Sequence, residues 1–222
     1  MEQYLTPTYF IDCDAPPIVE KAKELVKGAS NACEQSQRLF YYVRDSIKYN
    51  PYVFAPDIDD FKASAVLEKG EGFCVQKATI LAALARAVDI PTRLIFADIK
   101  NHQTPDKLKS ALGTNIFAYH GYDELYLDGK WVKAAPIFHL QMCQENDIIP
   151  VEFDGTKDAV LHSYDLKGRL HIEYLREHGS FADIPLDKIM HTFAEVYSFI
   201  SDKAQKIADD FHIKTEQANC QT

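Results

Sequence analysis

From Val75 to Val88 almost every residue is apolar, with Ile80-Leu81-Ala82-Ala83-Leu84-Ala85 forming an unbroken centre. A surface helix would keep a polar stripe, so this run requires a helix buried on most sides. Gly70 and Gly72 precede it, and Asp89-Ile90-Pro91 ends it. Hiding such a helix takes a sizeable core. A chain of 222 residues, 46% apolar with only 9 Gly and 10 Pro, can supply one. A single domain over residues 1–222 is the expectation.

Around this helix the pattern predicts further elements. Pro17 to Ala29 reads as a helix with Pro in its first turn and Ile18, Ala22, Leu25 and Val26 at helical spacing. Asn31 and Glu34 have capping-box spacing for a second helix, whose stripe of Leu39, Phe40, Val43 and Ile47 ends before Asn50-Pro51. The chain to about Phe61 reads as a loop. Thr92 to Ala97 reads as a buried strand, followed by a polar loop from Asn101 to Ser110. Ile116–Leu127 and Lys130–Ile137 form a hairpin around Asp128-Gly129. Val151 to Asp183 mixes short strand-like runs with turn signals and yields no order. Leu186, Ile189, Met190, Phe193, Val196, Tyr197, Ile200, Ala204, Ile207 and Ala208 trace one face of a long C-terminal helix that should cover the sheet.

Charge and cysteine usage exclude several roles. A formal charge of -9, from 24 basic and 33 acidic residues, repels phosphate backbones and anionic lipid, so neither nucleic acid nor membrane is an expected partner. Met1 to Asp12 lacks a signal peptide's basic and apolar stretches, and no segment approaches the ~20 apolar residues that span a bilayer. A cytoplasmic protein is expected. Cys13, Cys33, Cys74, Cys143 and Cys220 are scattered, with no C-x-x-C pair, which fits free thiols. His162, His171, His178 and His191 stand nine, seven and thirteen residues apart and match no compact zinc pattern. Asp57, Asp59 and Asp60 lack the glycine and final glutamate of a calcium loop. Neither a metal nor an organic cofactor is expected.

One cysteine stands apart. Cys74 heads the apolar helix, where unpaired backbone N–H groups and the helix dipole favour a thiolate. Gly72 leaves room for a substrate backbone, and the Cys74 N–H can serve half an oxyanion hole. Lys77, one turn on, either lowers the thiol pKa or is simply exposed. Tyr49, Tyr52, Phe54 and Phe61 read as groove lining or as packing. Counting back from the hairpin turn, Tyr126 faces Trp131, Tyr122 faces Ala135 and His120 faces Ile137. His120 therefore lies in mid-sheet on the face of Tyr122, Glu124 and Tyr126, where a packed imidazole needs a partner or a task.

Gly72 to Arg93 (G-F-C-V-Q-K-A-T-I-L-A-A-L-A-R-A-V-D-I-P-T-R) and His120 to Pro136 (H-G-Y-D-E-L-Y-L-D-G-K-W-V-K-A-A-P) resemble the core of the transglutaminase-like superfamily. The resemblance covers roughly residues 60 to 137 in both order and spacing. It implies an α+β, papain-like fold in which a helix headed by the catalytic Cys packs on an antiparallel sheet carrying the His. Cys74 takes the nucleophile position and His120 the base position. The family includes protein-crosslinking acyltransferases, peptidases and amide hydrolases, all acting through a thioester. A peptide, a protein or a small amide is the implied substrate, with hydrolysis slightly preferred because no extra domain presents a second protein.

The family usually sets an acid three residues after the W-V valine to orient the imidazole. Here that residue is Ala135. His139, Asp154 and the Asn101-His102 loop are possible replacements, and a Cys-His dyad is also workable. The alternative is a binding module that keeps the fold without turnover, which the absence of any polar side chain within about 3.2 Å of the far His120 nitrogen would favour. Full burial of Cys74 with no cleft above it would instead mark a structural thiol.

Overall fold

The computed structural model describes residues 1–52, 57–197, 204, 206, 207 and 209. Two helices open the chain, α1 (Pro16–Val26) and α2 (Ala32–Ser46), the second capped by Asn31, whose side chain accepts from the Glu34 N–H. The short strand β1 (Lys48–Tyr49), helix α3 (Ala63–Lys69) and strand β2 (Glu71–Gly72) lead into α4 (Cys74–Arg86). There follow β3 (Thr92–Asn101), α5 (Asp106–Leu112), β4 (Ile116–Leu127), β5 (Lys130–Ala134), α6 (Leu140–Glu145), β6 (Ile172–Phe181) and α7 (Leu186–Val196).

Every residue of α4 from Val75 to Arg86 is buried. The sheet, in the order β5-β4-β3-β6 and antiparallel throughout, lies on one side, and α1, α2 and α3 close the others. Arg86, at the end of α4, gives its guanidinium N–H groups to the carbonyls of Thr6 (2.9 Å), Thr92 (2.8 and 3.1 Å) and Ala182 (2.7 Å). It thereby ties the chain's start, the entry to β3 and the exit from β6 to the same helix end.

Several expectations are corrected. The predicted loop from Asn101 to Ser110 is instead the end of a ten-residue β3 and the start of α5. The unordered stretch from Val151 contains β6, which completes the sheet beside β3. The hairpin register holds, with Tyr126 opposite Trp131 and Glu124 opposite Lys133, but the ladder ends at Ala134. The Ala135 N–H turns away to the Ala159 carbonyl at 2.8 Å, so His120 and Ile137 are not ladder partners. The expected long C-terminal helix stops at Val196, where Tyr197 leaves helical geometry at φ -114 and ψ 93. Ala204 and Ile207 are helical and buried, while Ile200, Ala208, Phe54 and Cys220 lie outside the described residues.

Candidate active site

Cys74 is the first residue of α4, delivered there by the parallel pairing of β1 with β2. Gly72 does not leave the open approach expected of it. A Cβ there would meet Cβ of Gln76 at 2.9 Å, and Gln76 fills the space while accepting from the Phe73 N–H (3.2 Å) and donating to the Asp60 carbonyl (2.9 Å). The close approach that shapes the site is at Gly121 of β4. A Cβ at that position would stand 3.1 Å from the Val75 Cα and 3.2 Å from the Phe96 ring. Only the missing methyl lets the head of α4 press onto β4.

That contact decides the electrostatics of the thiol. The backbone N–H groups of Gly121, Val75 and Cys74 all favour negative charge on the sulfur, but burial outweighs them and pushes the thiol up to about 11. The lowering expected from the helix N-terminus is present and is overcome by desolvation. Cys74 itself is half-buried at the wall of a pocket, so the condition for a purely structural thiol is not met.

His120 reaches the same pocket through a bulge. Ala97 pairs with His120 and Ile99 with Phe117, which gives β4 one residue more than β3. Tyr119 absorbs the excess in the left-handed region at φ 50. Its N–H donates to Asp98 Oδ1 at 3.1 Å, His178 Nε2 lies 2.7 Å from that oxygen, and the Tyr119 and His178 rings stack at 4.0 Å. Bulges of this kind re-aim the neighbouring side chain. His120 is 2% exposed, its Nε2 has no hydrogen-bond partner, and burial pulls the imidazole down to about 3. At neutral pH, thiol and imidazole are therefore both uncharged.

The His120 ring stands 6.2 Å from both the Tyr122 and Tyr174 rings, which are 6.2 Å from each other. Tyr122 donates to Glu177 Oε1 at 2.8 Å, and Lys133 Nζ binds the same oxygen at 3.0 Å. The Tyr174 hydroxyl is buried without a hydrogen bond.

None of the expected replacements for the acid reaches His120 Nε2. His139 precedes α6 and does not line the pocket. Asp154 is exposed, its oxygen accepting from the Thr156 and Lys157 N–H groups at 2.7 and 3.0 Å. Asn101 lines the pocket but accepts from the Gln103 N–H at 2.9 Å, and His102 pairs with Glu173. Lys77 neither is exposed nor faces the sulfur. It is buried, and its Nζ donates to the carbonyls of Val43 (2.7 Å), Arg44 (3.1 Å) and Ile47.

The pocket shared by Cys74 and His120 has a volume of about 240 Å³. Its walls are mainly apolar, with Tyr49, Ile99, Leu108, Phe117, Phe138 and Met142 prominent; Asn101, Gln103, Asn146 and His171 are polar, and no Asp, Glu, Lys or Arg is among the described lining residues. Tyr52 joins this wall, whereas Phe61 is core. Among the described residues, no three His, Cys, Asp or Glu side chains gather as a metal site.

A family model for the transglutaminase-like superfamily matches residues 19–136, more than half of the chain. The chain belongs to the transglutaminase-like superfamily. No curated relative matches it. Solved structures similar to this transglutaminase-like chain include a protein from Cytophaga hutchinsonii described as a candidate cysteine protease (13% identity, TM-score 0.47, 80% of this chain and 53% of that one). The periplasmic domain of TgpA from Pseudomonas aeruginosa (20%, TM-score 0.41, 60% and 45%) and a TGase (20%, TM-score 0.35, 54% and 29%) also align. The chain thus spans about half the length of the first of these, 53%. Among the described residues no helix is long and apolar enough to cross a membrane.

Gly121 and Tyr174 are the parts of this site that the sequence did not single out. Gly121 sits inside the histidine motif, where its small size was the available signal, while Tyr174 comes from a strand with no clear pattern of its own.

Proposed function

We propose that the chain is a thiol-dependent enzyme acting on amide bonds. Cys74 is the nucleophile and His120 the base. His120 takes the thiol proton as the sulfur attacks the amide carbonyl, and the backbone N–H groups at the helix head receive the developing oxyanion. The C–N bond then breaks as His120 returns the proton to the leaving amine. Water, giving its proton to His120, hydrolyses the thioester and regenerates the thiol. An amine in place of water would make the reaction an acyl transfer.

The observation that carries this reading is that the head of the buried helix and the bulged β4 strand open Cys74 and His120 into one pocket. Its uncharged walls suit a neutral acyl group on a peptide, protein or small amide. A single domain in a reducing compartment, with Cys13, Cys33, Cys74 and Cys143 as free thiols, completes the proposal. A second reading, a binding module without turnover, draws support from the unpartnered His120 Nε2.

Iodoacetamide alkylation of Cys74 across pH distinguishes the two, with Cys74→Ala as background. An active pair predicts that His120→Ala slows the reaction at neutral pH by about tenfold or more. Indifference to His120 would leave the binding module.

A further inference from the structure

We propose that Tyr174 is the positioning residue for His120, doing through a phenol oxygen what an acid does elsewhere. The inference rests on the reading of Cys74 and His120 as a thiol enzyme's nucleophile and base and concerns how that base is held.

Two buried polar atoms on this face of the sheet lack partners, Nε2 of His120 and the hydroxyl of Tyr174. A buried polar atom left in this state loses its hydration with nothing in return. Their rings are 6.2 Å apart and inclined at 70°, a separation that a single hydrogen bond between the two atoms can span, and that bond would satisfy both. Among the described residues none is bonded to the imidazole Nε2. Tyr122 has given its hydroxyl to Glu177, Lys133 is bound to that same carboxylate, and Ala135 has only a methyl group to offer. Burial opposes ionisation of Tyr174, and the Leu161 N–H favours negative charge on its oxygen without completing a hydrogen bond to it, which leaves a neutral phenol with a lone pair available.

The direction of the bond matters. When Nε2–H donates to Tyr174 Oη, the proton of the neutral imidazole is fixed on Nε2, and Nδ1 is left as the nitrogen able to accept from the thiol. The opposite direction would put the proton on Nδ1 and disable the base. A phenol orients the ring without adding a second buried charge, and it supports the transient imidazolium less strongly than a carboxylate would.

The test is the pH dependence of Cys74 alkylation by iodoacetamide in wild type, Tyr174→Phe, His120→Ala and the double variant, with 15N NMR of the His120 tautomer. Tyr174→Phe keeps the ring and removes only the hydroxyl. It is expected to slow alkylation about five- to tenfold, the worth of one hydrogen bond. It should also shift the pH profile and add nothing to His120→Ala in the double variant. A Tyr174→Phe profile that superimposes on wild type, while His120→Ala slows the reaction, overturns the role of Tyr174 and spares the thiol-enzyme reading. Wild type and His120→Ala superimposing would sink both. Should Tyr174→Phe fail to fold, the wild-type tautomer decides: a proton on Nε2 supports the assignment and one on Nδ1 refutes it.

Discussion

Lys77 and His120 are both buried polar side chains near Cys74, and the protein treats them in opposite ways. Lys77 Nζ gives its N–H groups to three carbonyls at the end of α2, although burial pulls the amine down to about 7. Helix C-termini leave such carbonyls without intrahelical donors and favour a cation there. His120, in the pocket wall, keeps its Nε2 unbonded. A polar group buried for stability is expected to be satisfied; a pocket-lining imidazole with a nitrogen left unbonded is expected to have another task.

The largest effect is expected from breaking the satisfied side. Lys77→Met strands three carbonyls and should lower the unfolding free energy by about 3 kcal/mol, read from urea melts. A loss below ~1 kcal/mol would show that water serves those carbonyls as well as the ammonium does. Gly121→Ala attacks the seam between helix and sheet. The new methyl group meets the Val75 backbone at 3.1 Å, and about 2 kcal/mol of overpacking is expected, together with slower Cys74 alkylation as the Gly121 N–H moves away from the sulfur. Unchanged stability and reactivity would contradict the tight seam.

The smallest effect at neutral pH belongs to the open side. His120→Leu removes an unsatisfied group for an apolar one and should leave stability at pH 7 within about 1 kcal/mol. Its signature is in acid. The folded imidazole titrates near 3 against an ordinary 6.5, so between these values the unfolded chain binds more protons and stability rises with pH. The contribution is complete above about 6.5 and is lost as pH falls towards 3. His120→Leu should flatten that slope in melts taken across the window; an unchanged slope would mean that the ring is solvated in the folded state.

What could be read from the sequence followed local pattern. The apolar run named α4 almost to the residue, and Asp128-Gly129 fixed a register that survives to Ala134. The strand β6 has no clear sequence pattern because most of Ile172–Phe181 is exposed, with Glu173, Arg176 and Glu177 among the exposed residues, so no alternation marks it. The seven residues of α5 bury only Leu108 and Leu112, too few to announce a helix. Lys77 was misjudged because its partners lie thirty or more residues back, at a helix end that no motif connects to it. For the candidate site, motif and spacing name Cys74 and His120, and both line one pocket. The orphaned pair of nitrogen and phenol was not legible, since it depends on a bulge and a strand that only three dimensions bring together.

The three-way grip of Arg86 also bears on the order in which the chain can assemble. Its carbonyl partners are separated from it by 80 residues on one side and 96 on the other. Contacts so distant in sequence form late, because loop closure must precede them. During synthesis the last turn of the Cys74 helix therefore lacks one of its anchors until residue 182 has emerged. Nascent chains shorter than that expose a nearly all-apolar helix end, and they are the species most in need of a chaperone.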